Sequence, residues 1–135
     1  MATWYDNLEK PPFTPPKSVF GPVWAVLYIF IFSAVILYFL SPVKTNLIPV
    51  TVFLLIHFTA SFSWTKLFFE QKKIFAALLD ILVIDVTLGV VITLFFQVNT
   101  LAGALLLPYL CWGIFAAYLN WGIYRLNPEK NGNAQ

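Results

Sequence analysis

Four apolar runs, each about 20 residues long, limit what this chain can become. An α-helix rises about 1.5 Å per residue, so a run of that length crosses roughly 30 Å of hydrocarbon. The runs cover residues 22–40, 47–67, 74–96 and 101–124. Polar or helix-breaking residues follow each of them: "SPVKTN", "FEQKK", "QVNT" and "RLNPEKNGNAQ". Only 10% of the chain is charged, against about 25% in a soluble domain. The expected fold is all-α: an integral membrane bundle of four transmembrane helices, with short connections that make sequential helices antiparallel neighbours. Three parts follow: residues 1–21 as a proline-rich segment, 22–125 as the bundle and 126–135 as a polar tail. No basic stretch leading into a short apolar one precedes Gly21, so no cleavable signal peptide is read.

The charges orient the bundle. With these spans, Lys10, Lys17, Lys66, Lys72, Lys73, Arg125 and Lys130 fall on one side and only Lys44 on the other. Short loops rich in Lys and Arg stay in the cytoplasm, which places both termini there. A net charge of +2 gives no sign of nucleic-acid binding. The single cysteine, Cys111, excludes an internal disulfide and is read as a small core residue.

The opening segment is unusual for a membrane protein. Pro11, Pro12, Pro15 and Pro16 fix φ and remove backbone donors, so the segment should be an extended strap that loses little entropy on docking. Trp4 and Tyr5 at its start suit a headgroup-level aromatic belt as well as a docked strap. Farther on, Trp24 and Tyr28 share a face of the first helix. Pro108, Trp112, Ala116 and Asn120 follow one another at four-residue steps in the last. Aromatic walls with a few placed polar groups suit a flat apolar ligand, and the same stripe also suits ordinary core packing. Gly113 and Ala117 form a small-xxx-small pair that lets a neighbouring backbone approach.

Asp80 and Asp85 lie about 9 and 17 Å along the third helix, and an ionisable group at that depth is a functional candidate by default. His57 lies near the middle of the second helix, which makes a His57–Asp85 hydrogen bond one expectation. The alternative is a protonated Asp85 bonded to a nearby threonine or backbone carbonyl. Leu119, Tyr124 and Lys130 fit the loose pattern proposed for cholesterol contact, and Tyr124 with Arg125 fits an interfacial anchor equally well.

"WYDNLEKPPFTPP", "FGPVWAVLY", "WTKLFF", "ALLD" and "LLLPYLCWGIFAAYLNWGIYRLN" occur in this order along almost the whole chain. Together they resemble the TspO family, also called the translocator protein, the peripheral benzodiazepine receptor or the tryptophan-rich sensory protein. The resemblance implies that the strap is a lid over a pocket in the cytoplasmic half of the bundle. The positions implied to line it are Tyr5, Trp24, Tyr28, Ser61, Trp64, Trp112, Ala116 and Asn120. Ser61 stands where the family usually has asparagine, and Asp80 matches the family's aspartate, implying a structural polar contact. Members usually carry a further helix before this loop. Its absence here implies either a four-helix protein or a start truncated relative to a longer product. It also implies an apolar groove between the first and second helices, filled by lipid or by a second copy in a homodimer.

The implied function is a membrane receptor or sensor of tetrapyrroles such as protoporphyrin IX or haem, with sterol-like or benzodiazepine-type ligands as other occupants. No cofactor is required, and the tetrapyrrole is a ligand. His57 could serve as a haem axial ligand, but the resemblance does not call for one. The sequence has no hydrolytic triad, phosphate loop or metal cage. The only chemistry implied is light-dependent porphyrin breakdown, with Trp24 and Trp112 as the oxidisable indoles. The alternative from another class is a small proton-coupled transporter using Asp85. The residues leave open whether the membrane is a bacterial cell membrane or the mitochondrial outer membrane.

Overall fold

The computed structural model describes residues 4–42 and 44–128. Its helices are α1 (Lys17–Leu40), α2 (Leu47–Thr65), α3 (Ile74–Phe96), α4 (Thr100–Leu105) and α5 (Leu107–Leu126). A π-helical turn, Lys66–Glu70, extends α2. Among the described residues, four spans are long and apolar enough to cross a membrane: Lys17–Leu40, Leu47–Glu70, Ile74–Phe96 and Thr100–Leu126. Helices are the form expected, because lipid offers no partner for a free backbone N–H or C=O.

The third span begins and ends where the apolar run does, and the other three differ, the second by running on to Glu70 through the π-helical turn. α1 begins directly after Pro16, whose φ of −60° and ψ of 150° are extended, so the helix starts at Lys17 and not at Pro22. The first-turn N–H groups need no intrahelical partner, and Pro22 removes one donor near the watery end of the helix, where the loss is tolerated. The fourth span is broken at Leu106, between α4 and α5. Asn99 caps α4, its Oδ1 accepting from Ala102 N at 3.0 Å, a contact worth about 1 kcal/mol.

α3 is the central helix, packed on α2, α4 and α5, while α1 packs on α4 and α5. The largest core cluster joins Leu27, Ile31 and Tyr38 of α1 to Val50 of α2, Leu88, Val91 and Phe95 of α3, and Tyr109 of α5. Tyr38 stacks on Phe95 with centroids 4.6 Å apart, and its hydroxyl donates to Asn46 Oδ1 at 2.7 Å. Asn46 Nδ2 in turn donates to Leu94 O at 2.8 Å. These contacts close the end of the bundle near Lys44, opposite the strap. Cys111 is exposed, against the expectation of a core position. It lies two residues from both Tyr109 and Gly113, about 200° around the helix from each buried neighbour.

Candidate functional site

Trp4 to Pro16 form a strap across the end of the bundle that carries most of the lysines. A turn opens it, with Asn7 N donating to Trp4 O at 3.3 Å and Leu8 N to Tyr5 O at 3.2 Å. Leu8 is buried against Phe68, Ile74, Ala77 and Ile123. Farther along, Glu9 N donates to Asn127 Oδ1 at 2.9 Å, and Asn127 Nδ2 donates to Glu9 O at 2.7 Å. Tyr118 Oη donates to Pro12 O at 2.9 Å. Pro11 lies on Gly122 so closely that a Cβ there would stand 2.6 Å from the proline ring. Lys17 pairs with Asp6 at 3.2 Å.

Aromatic rings continue from the strap into the bundle. Trp4 meets Phe68 edge-on at 5.6 Å, Tyr5 meets Phe69 at 5.8 Å, and Trp64 stacks on Phe68 at 5.1 Å. Lys10 Nζ sits 4.6 Å from the Tyr5 ring centroid. Burial, and secondarily the neighbouring Asp6 carboxylate, push the Tyr5 phenol above its ordinary pKa. Trp64 Nε1 donates to Asn120 Oδ1 at 2.9 Å, and Asn120 Nδ2 donates to Ile74 O at 3.0 Å. Asn120 is only 1% exposed, so its amide joins α2, α3 and α5 and is already occupied by protein partners. The Trp4 indole N–H is buried with no hydrogen-bond partner among the described residues.

A second cluster lies deeper. Trp24 meets Tyr109 edge-on at 6.3 Å and Tyr28 at 5.7 Å. Tyr28 is 45% exposed and also stacks on Phe32, so it forms the outer edge of the cluster. Tyr109 reaches His57, hydroxyl to Nε2, at 2.9 Å. Ser61 donates to His57 O at 2.9 Å, within its own helix. Trp112 is half-buried and meets Phe20 of α1 at 5.9 Å, while Ala116 packs with Ala60, Leu78, Ile81 and Ile84.

The expected sites therefore fall into two groups: Tyr5, Trp64 and Asn120 under the strap, and Trp24, Tyr28 and Ser61 around Tyr109. Trp112 and Ala116 lie between them along α5. Four-residue steps overshoot a helical turn by about 40°, so the stripe from Pro108 to Asn120 winds about 120° around α5. It starts exposed at Pro108, passes α1 at Trp112 and ends buried at Asn120. The sequence reading missed Tyr109 and Asn127. The 3.6-residue period through Tyr109, Gly113, Ala116 and Asn120 is the signal that would have found the first. Asn127 lies past the helix, where no periodicity points to it.

The two membrane carboxylates also differ from expectation. His57 and Asp85 do not pair. His57 Nδ1 lies 3.1 Å from Ile84 O and 3.2 Å from Thr87 Oγ1. Asp85 is one residue beyond Ile84, so it turns about 100° away and faces α5. A Cβ on Gly113 would collide with Asp85 Oδ1. That oxygen is buried without a hydrogen-bond partner among the described residues, and so is Asp80 Oδ2. Asp80 Oδ2 thus meets no polar partner among the described residues, where a structural contact is expected. It lines a shallow groove of about 420 Å³ with Leu55, Ile56, Thr59, Ala60 and Ser63. A second groove, about 290 Å³, runs along α1 at Pro22, Val23, Val26 and Leu27. Neither groove touches Trp112, Ala116 or Asn120. Lys130, and with it the cholesterol pattern and most of the tail, lies outside the described residues.

Four spans, an aromatic interior and a docked proline strap define a multi-pass integral membrane protein. The TspO/MBR family model matches residues 1–125, and the chain belongs to that family. It is 38% identical over 135 residues to the tryptophan-rich protein TspO of Archaeoglobus fulgidus, covering 94% of this chain and 82% of that one. It is 34% identical over 128 residues to the tryptophan-rich sensory protein of Cereibacter sphaeroides (92% and 77%). Identity to the human translocator protein is 30% over 132 residues (96% and 78%).

Proposed function

We propose that this protein is a membrane receptor or sensor that binds a flat, apolar tetrapyrrole such as protoporphyrin IX or haem against Trp24, beneath the strap. The observation that carries the reading is the line of rings from half-buried Trp24 through buried Tyr109 toward half-buried Trp112. Such rings offer π-faces and little polar competition to a planar guest. Supporting it is the Trp4 indole N–H of the strap, buried and without a hydrogen-bond partner among the described residues, a donor for a ligand carboxylate. The names of the relatives, sensory protein and translocator protein, agree with a binding role.

Sterol-like lipids or benzodiazepine-type molecules are further occupants of the same class of site. A second copy of the chain, or a lipid, closes the flank between α1 and α2. In light, Trp24 and Trp112 are the oxidisable groups nearest the guest. Asp85 as a proton-coupled transport site gains no support from the geometry, since its carboxyl is wedged on Gly113 between packed helices.

The test is a titration of the chain in lipid nanodiscs with protoporphyrin IX in the dark. A saturable shift of the porphyrin band is expected, weakened severalfold by Trp24→Ala and unchanged by Trp121→Ala on the exposed face. Unsaturable partitioning, the same in all three proteins, would overturn the reading.

A further inference from the structure

His57 and Tyr109 form a buried hydrogen-bonded pair whose proton chemistry ligand binding leaves unused. They are 1% and 5% exposed, and their neighbours determine where each proton sits. Ile84 O can only accept, so His57 Nδ1, 3.1 Å away, carries the imidazole proton. Nε2 is then a bare lone pair, and the Tyr109 hydroxyl 2.9 Å away donates to it. Ser61, 3.5 Å from that hydroxyl, has already given its own proton to His57 O. Thr87 has likewise turned its proton toward Val83 O and Ile84 O, at 2.8 and 3.0 Å. Among the described residues the Tyr109 proton has two acceptors in reach, His57 Nε2 at 2.9 Å and Ser61 Oγ at 3.5 Å, and the nearer and more basic is the imidazole, whose other nitrogen is anchored to the backbone. The same phenol ring lies edge-on to Trp24 at a centroid distance of 6.3 Å, near enough for direct one-electron transfer.

We propose that Tyr109 and His57 act as an electron and proton relay that restores Trp24 after photo-oxidation. This rests on the reading above, in which a photoexcited tetrapyrrole lies against Trp24. One electron leaves the Trp24 indole for the excited dye and ends on dioxygen as superoxide. Tyr109 returns one electron to the indole radical cation while its phenolic O–H bond breaks and the proton moves to His57 Nε2. The products are intact Trp24, a neutral tyrosyl radical, a histidine imidazolium still donating from Nδ1 to Ile84 O, and superoxide. Electrons and charge balance. Tyr28 is 5.7 Å from the same indole, but no base is hydrogen-bonded to its hydroxyl among the described residues. Oxidising it would leave a proton with nowhere to go, which selects Tyr109.

Two arms of one experiment test the relay and the ligand reading separately. In the first, the nanodisc protein is titrated with protoporphyrin IX in the dark, then illuminated in air and freeze-trapped for electron paramagnetic resonance. In the second, a ruthenium polypyridyl sensitiser with persulfate replaces the porphyrin, so oxidation needs no bound tetrapyrrole. The relay predicts a tyrosyl signal that is mostly lost in Tyr109→Phe, where an indolyl signal replaces it. Oxygenated Trp24 in peptide mass spectra should then rise severalfold. His57→Gln should lower the tyrosyl yield severalfold with Tyr109 still present, and Tyr28→Phe should change neither readout. Tyr109→Phe keeps the ring and its packing, and unchanged thermal unfolding checks this. A tyrosyl signal and Trp24 loss unaffected by both Tyr109→Phe and His57→Gln, in both arms, would overturn the relay. Absence of dark binding in the first arm, with the predicted signals in the second, would overturn the ligand reading and leave the relay standing.

Discussion

The Asn127 side chain pairs with the backbone of Glu9 in both directions, donating to its carbonyl at 2.7 Å and accepting from its N–H at 2.9 Å. A carboxamide here imitates one rung of a β-ladder and fixes the strap to the end of α5. Asn127→Ala removes both bonds and should cost about 1–3 kcal/mol of strap docking. Asn127→Asp keeps the acceptor but turns an oxygen onto Glu9 O and Ile123 O in place of the donor, so it should cost at least as much as Asn127→Ala. Proteinase K cleavage within residues 4–16 should accelerate in the same order. Equal rates in all three proteins would show that the strap is held by its apolar contacts alone.

Gly113 is the point where α5 meets the Asp85 carboxyl. A methyl group at this position has no room while the carboxyl is there, so Gly113→Ala should destabilise the bundle by about 1–3 kcal/mol, as overpacking does. In an Asp85→Ala background the same substitution should cost less than half as much, because the obstructing oxygens are gone. Unfolding in mixed detergent micelles measures both costs. Equal costs would separate the two residues.

Tyr5 supplies a pH dependence outside the membrane. Burial and the Asp6 charge favour its neutral phenol in the docked strap, so its folded pKa lies above the ordinary value of about 10. Its contribution to docking is therefore complete below about pH 10 and is lost as pH rises through the higher folded value. The tyrosinate absorbance difference between the parent chain and Tyr5→Phe should rise later than that of free tyrosine. A difference curve that follows free tyrosine would show an undocked ring.

Much of this fold was legible because the bilayer imposes one length on every span. The third run matched its helix at both ends, and the strap lies across the end of the bundle that carries most of the lysines. The break at Leu106 was not legible, since Leu105, Leu106 and Leu107 are as apolar as any helix interior. The site was legible in composition and less so in direction. Trp24 packs on Tyr109 and Trp112 on Phe20, so the aromatic residues of the first and last spans do meet other rings. Asn120 looked like a ligand contact but serves Trp64 and Ile74, because a polar tip on a helix says nothing about which neighbouring helix reaches it first. His57 and Asp85 matched in depth but differ in azimuth, and a single residue's offset on α3 separated them.

The most direct check on the central claim is peptide-resolved hydrogen exchange of the nanodisc protein with and without saturating protoporphyrin IX in the dark. If the guest lies against Trp24 with the strap as its roof, amides of the strap and of the first turns of α1 should exchange severalfold more slowly when the site is filled. That protection should vanish in Trp24→Ala. Saturable binding that leaves the strap amides unchanged would contradict the account and place the guest elsewhere on the bundle.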